Sequence, residues 1–217
     1  MWSQIFIPTP QAAYIAGLTD RQLNRVVDEH LLPYGLVEQG QNERLFTRLG
    51  AAFATFYFAT DDVLVAGTRR LVLQELVERL NRVPEKNEVL NLAQVQAVDW
   101  KVRCKAVEID LRPYVQAAHL RSDEVDWAET LVTTDPQIMG STPVFAGTRV
   151  PLEIVLGSLD SGIGMERLRG SYAFLTEAHI QAARVYQAVH PRKGRPRRLL
   201  AEQNPGLVRR VKRLAAA

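Results

Sequence analysis

Apolar residues recur at helical intervals through most of this chain, and the breaks between runs divide it into successive modules. In the first, Ala12, Ala13 and Ile15, then Leu23, Val26 and Val27, mark two short helices hinged at Gly17, with Thr9 and Thr19 placed as caps. Leu36-Val37-Glu38, a polar turn over 39–43 and Arg44-Leu45-Phe46 then predict a β-hairpin, or wing. Thr47 begins a further helix, with Arg48 exposed and Leu49, Ala52, Phe53 and Phe56 inward. Helix, turn, helix, wing and helix in that order predict a winged helix-turn-helix over residues 1–60.

Residues 61–82 carry Val63, Leu64, Leu71, Leu73, Leu76, Val77 and Leu80 at helical spacing, ended by Val83-Pro84. Such a helix serves either as a dimer seam or as core packing within one subunit. Residues 98–111 alternate through Trp100, Val102, Cys104, Val107 and Ile109 and predict one strand. A lone strand needs a partner, either residues 2–7 or its own symmetry mate, so a homodimer is expected. A helix over 112–121 closes this linking region of 61–121, and Asp123, Glu124 and Asp126 are expected in a solvated turn.

The third module, residues 122–191, begins turn-rich: prolines bracket Val144-Phe145-Ala146, and Gly147-Thr148 supplies a tight reversal before Arg149-Val150 returns. Three helices follow, over 152–161, 165–169 and 176–189, stopped by Gly162, Gly170 and Pro191, with Thr176 as N-cap of the last. Gly147, Thr148 and Arg149 are read as a structural brace, with Glu153 or Asp160 as acidic partners for Arg149. The predicted fold class is mainly α with small β-hairpins (α+β).

Charge changes the picture at the end of the chain. Residues 192–217 hold nine basic side chains against the single acid Glu202, so a net charge of +3 for the whole leaves the first 191 residues at −5. That segment lacks aromatics and is broken by glycine and proline, which predicts a basic tail that does not order alone. It has two uses open to it: gripping nucleic-acid phosphates, or lying over an acidic protein surface. On the second helix of the winged module, Arg21, Gln22, Asn24 and Arg25 are side-chain types that reach base edges or phosphates from the major groove, with Arg44 and Arg48 beside them. Double-stranded operator DNA is the expected partner of these six.

Catalytic chemistry is not expected. His30, His119, His179 and His190 lack metal-ligand spacing, Cys104 stands alone, and no Gly-rich phosphate loop occurs, so neither enzyme activity nor a metal or cofactor is predicted. No apolar run approaches the ~20 residues of a membrane span and no leader pattern opens the chain, which predicts a cytoplasmic protein.

Two resemblances sharpen this reading. Thr142-Pro143-Val144-Phe145-Ala146-Gly147-Thr148-Arg149-Val150-Pro151 and Leu175-Thr176-Glu177-Ala178-His179-Ile180 resemble the signature of VapB-type antitoxins, encoded beside a PIN-domain (VapC-like) ribonuclease toxin. That family commonly has two glycines where this chain has Gly140-Ser141. Residues 5–59 are similar to a MerR-like winged helix. The resemblance implies an antitoxin of a type II system that inhibits its toxin and represses its own promoter, as a homodimer within a larger complex. The tail side chains Arg192, Lys193, Arg195, Arg197, Arg198, Leu199 and Leu200 would then contact the toxin, an arginine standing in for the metal charge at its carboxylates. The alternative is a stand-alone transcriptional regulator whose basic tail reinforces DNA binding.

Overall fold

A computed structural model describes residues 5–40 and 43–191. The chain opens with β1 (Phe6–Pro8), α1 (Thr9–Ala16) and α2 (Asp20–Asp28). Gly17, at φ 65°, takes the left-handed conformation that ends α1. Thr19 then starts α2 with a complete capping box, its side chain accepting from the Gln22 amide while the Gln22 side chain accepts from the Thr19 amide. Thr9 does not cap α1; it is the first helical residue, and its hydroxyl donates to the Arg44 carbonyl at 3.1 Å.

The wing is β2 (Val37–Gln39) and β3 (Arg44–Thr47), antiparallel, with Val37 opposite Phe46. β1 lies on the other side of β3, so the sheet order is β1-β3-β2. This corrects the expected pairing of residues 2–7 with the strand beyond residue 98: Phe6 pairs with Thr47 and Ile7 with Phe46. Thr47 caps α3 (Arg48–Ala59), accepting from the Gly50 amide at 2.9 Å. A Cβ at Gly50 would stand 2.7 Å from the Leu36 carbonyl, so glycine is what lets the first turn of α3 press against the wing.

After a turn over 61–65 come α4 (Ala66–Leu80) and α5 (Lys86–Leu90). Val72, Leu73, Leu76 and Leu80 of α4 are buried in the main core, which places this helix in core packing, while Val63, Val65 and Leu71 stay exposed. The expected lone strand is a hairpin, β4 (Lys101–Cys104) with β5 (Val107–Asp110), turned at Lys105 with φ 55°. It pairs with itself, so the argument from it to a symmetry mate lapses.

The helix expected to end at 121 continues: α6 (Arg112–Thr130) buries Val115, Ala118, Ser122, Val125 and Ala128, one unbroken helical stripe. Asp123, Glu124 and Asp126 therefore lie on a helix face, not in a turn, and the expected boundary at 121 falls inside a helix. Then follow β6 (Val132–Thr133), β7 (Val144–Phe145), α7 (Leu152–Asp160), α8 (Met165–Ser171) and α9 (Glu177–Val189). Gly170 does not stop α8, which runs on to Ser171.

The fold is mainly helical with small antiparallel strand pairs, an α+β arrangement. Two apolar cores organise it. The larger gathers residues from Ile7 to Val189, and α6 lies at its centre against α1, α3 and α9. The smaller, around Phe145, Val155, Leu156 and Leu175, is built by β6 to α9. Helix α9 serves both: Ala182, Val185 and Val189 face the larger core, Ile180 and Ala183 the smaller.

Candidate nucleic-acid interface

Of the six side chains expected to meet DNA, the fold leaves two pointing outward on α2. Arg21 is exposed. Arg25 is exposed as well, but its Nε donates to Glu29 at 2.6 Å and its guanidinium stands 5.9 Å from the centre of the Phe58 ring. That hydrogen bond and the Glu29 charge raise the Arg25 pKa further, and the Arg25 bond correspondingly lowers that of Glu29. Gln22 is committed to the capping box, its Oε1 accepting from both the amide and the hydroxyl of Thr19 at 3.0 and 2.9 Å. Asn24 is half-buried; its backbone carbonyl accepts from Arg44, whose Nη2 also donates to Asp28 at 2.6 Å. Arg44 thus ties the wing to α2.

Arg48 departs furthest from expectation. It points inward, donating to Ser122 Oγ and Asp126 Oδ2 at 2.6 Å each and to Asp126 Oδ1. Only 16% of its side chain is exposed. A forked guanidinium matches a carboxylate in two parallel bonds, so this pair locks α3 to α6 instead of presenting a cation to DNA. Ser122 and Asp126 were missed because the helix carrying them was expected to stop at 121. The apolar interval from Val115 and Ala118 to Val125 and Ala128 was the signal that it does not.

A second missed partner is Glu124, which accepts from the Tyr14 hydroxyl at 2.8 Å and so joins α6 to α1. Burial, then the bond to Glu124 and its charge, push the Tyr14 pKa up from 10.0 to about 12. A folded-state pKa raised in this way contributes stability that is complete below pH 10 and drains away as pH climbs through about 12. Tyr14→Phe is expected to cost about 1 kcal/mol at neutral pH, a charged hydrogen bond discounted for its partial exposure. In urea melts from pH 7 to 12 it should also flatten the alkaline fall; an unchanged profile would remove this bond from the account.

Between α6, β1 and the residues after α5 runs a polar cleft of about 600 Å³, lined by Arg48, His119, Ser122, Asp123, Asp126, Glu129 and His190 among others. Its histidines are paired, His119 with Asp123 at 3.6 Å and His190 with Glu129 at 3.3 Å. Among the described residues no group of three or more His, Cys, Asp or Glu is placed to hold a metal ion.

The Gly147-Thr148 reversal forms as expected. Gly147 has φ 73°, the Thr148 amide and hydroxyl both donate to the Phe145 carbonyl at 3.0 and 2.8 Å, and the Phe145 amide donates to Val150 at 3.1 Å. The Ala146 amide reaches back to the Leu131 carbonyl at 2.9 Å, fastening the reversal to the end of α6. Arg149 stands exposed, and Asp160 is held instead by Arg184 at 3.6 Å. At the position where the resembled signature has glycine, Ser141 keeps a left-handed φ of 66°, next to Gly140 at 61°. Arg192, Lys193, Arg195, Arg197, Arg198, Leu199 and Leu200 lie outside the described residues.

The unit from β6 to α9 coincides with a known sequence family: residues 132–186 match the family described as "Protein of unknown function (DUF433)". Over 187 residues the chain is also 32% identical to "Uncharacterized protein y4eO" of Sinorhizobium fredii (strain NBRC 101917 / NGR234), covering 86% of this chain and 82% of that protein. The chain belongs to the y4eO family. An alignment of that length exceeds the DUF433 span by far, so the likeness takes in α3 to α6 as well. No solved structure matches the chain. In this y4eO-family protein no helix of the described residues is long and apolar enough to cross a membrane.

Proposed function

We propose that this protein is a DNA-binding antitoxin of a type II toxin–antitoxin system, which inhibits a PIN-like ribonuclease and represses its own promoter. The observation that carries the DNA half is the outward placement of Arg21 and Arg25 on the second helix of a helix-turn-helix, with a wing fastened to that helix by Arg44. The Gly-Thr-Arg signature and the charge contrast between the body and residues 192–217 support the toxin half. In this reading the basic segment lies over the toxin's metal-binding carboxylates, and its arginines supply the positive charge that the metal would otherwise bring.

Gel shifts on the protein's own promoter test the first half. Arg21→Ala with Arg25→Ala should weaken specific binding about tenfold to thirtyfold, since two contacts are lost and Arg25 is already shared with Glu29. Unchanged affinity would move readout away from α2. Co-expression with the neighbouring reading frame, comparing the full chain with one ending at Pro191, tests the second half. Recovery of the toxin by both would take the basic segment out of inhibition, and recovery by neither would favour a stand-alone regulator.

A further inference from the structure

Where the turn after α3 meets the end of α2 there is a small pocket of about 210 Å³, distinct from the polar cleft. Arg25, Arg69 and Arg70 line it, with Glu29, Asp61 and the rings of Tyr57 and Phe58. Arg69 is the unusual member. It is 8% exposed, its guanidinium lies 4.2 Å from the centre of the Tyr57 ring, and its Nη1 donates to the Tyr57 carbonyl, yet its buried Nε has no hydrogen-bond partner. No carboxylate lies within ion-pair distance of it among the described residues. A buried guanidinium without a counter-charge is unfavourable, and a neighbouring aromatic face offsets only part of that.

The pocket wall also includes Ala66, the first residue of α4. This fifteen-residue helix has no side-chain cap at its start and no acidic residue in its first turn, so its opening amides and the positive end of its dipole are left uncompensated. Three arginines on the wall face two carboxylates, Glu29 bonded to Arg25 and also near the Arg70 charge, and Asp61 outside an ion pair, so one positive charge is left over. We infer that this pocket binds an oxyanion of phosphate size, held by Arg69 and Arg70 at the open start of α4. Its volume is of the order of a phosphoryl group with a few waters. The phosphoryl group comes either from free phosphate or from a phosphodiester of the duplex that α2 faces, since Arg25 and Glu29 belong to both surfaces.

Titration calorimetry with inorganic phosphate against the full chain, at fixed ionic strength with chloride as the balancing anion, tests this. Saturable binding is expected, weakened at least tenfold by Arg69→Met and about fivefold by Arg70→Gln. Arg70 is exposed, so its variant keeps the test valid should Arg69→Met fail to fold. Absence of saturable binding, or full binding by Arg70→Gln, overturns the site. Adding a short duplex of unrelated sequence then separates the sources: displacement of phosphate assigns the pocket to a backbone phosphodiester, retention to free phosphate. Operator binding is measured separately on Arg21→Ala, so failure of either idea is seen independently of the other.

Discussion

Phe145→Ala is expected to lower the stability of this protein by about 4 kcal/mol, the cost of deleting a buried aromatic ring whose site cannot collapse. The ring is wholly buried at the centre of the smaller core, 5.6 Å from the Phe174 ring and 5.8 Å from the His179 ring. Its backbone is held on both sides, by Val132 across the strand pair and by Val150 across the Gly147-Thr148 reversal, so the walls have little freedom to move inward. Because α9 supplies side chains to both cores, the loss should be felt by the whole described body and not by residues 132–186 alone. Urea denaturation followed by both far-ultraviolet circular dichroism and tryptophan fluorescence should give one transition, shifted to lower urea with its slope unchanged. Phe145→Leu should cost less than half as much. Two separate transitions would mean that the cores are not coupled through α9, and a loss under about 1 kcal/mol that the Phe145 site collapses after all.

The second large effect concerns Arg48. Arg48→Met keeps most of the aliphatic stem and removes the fork, leaving Asp126 and Ser122 without their partner. Breaking a buried pair from one side costs about 3–5 kcal/mol, and the half-exposed Asp126 brings the expected value here down to about 2–3 kcal/mol. The change also separates two roles for the same residue. If Arg48 fastens α3 to α6, the variant should be less stable yet bind operator normally per folded molecule. If it served DNA, affinity would fall at unchanged stability. A double-mutant cycle with Asp126→Asn should return most of the loss as coupling between the two.

These two residues also show what kinds of feature are legible in a sequence. The reversal at Gly147-Thr148, the capping of α2 by Thr19 and of α9 by Thr176, and the start of α3 at Thr47 all rest on interactions within a few residues, and they form as expected. The hairpin at 101–110 was mistaken for a single strand because its turn, Lys105-Ala106, lacks the glycine or asparagine that ordinarily marks a left-handed position. The acids after residue 121 have the local charge of a solvated turn, but the apolar interval of α6 continues beneath them. The candidate interface was half legible: the helix and wing were placed correctly, but four of its six side chains, Gln22, Arg25, Arg44 and Arg48, have partners inside the fold.

The sequence by itself determined the helices and wing of the first sixty residues, the Gly147-Thr148 reversal, and the contrast in charge between residues 1–191 and 192–217. Each follows from neighbours along the chain, through periodicity, caps and turn chemistry. Only the tertiary structure decided that β1 completes the wing sheet, that Arg48 pairs with α6, that Tyr14 binds Glu124, and that Arg69 is buried with its Nε unpartnered. The first three pair groups roughly forty to more than a hundred positions apart, and the fourth depends on which side of α4 the core covers. Local pattern carries no record of such distances; the packing of α6 against α1 and α3 creates them.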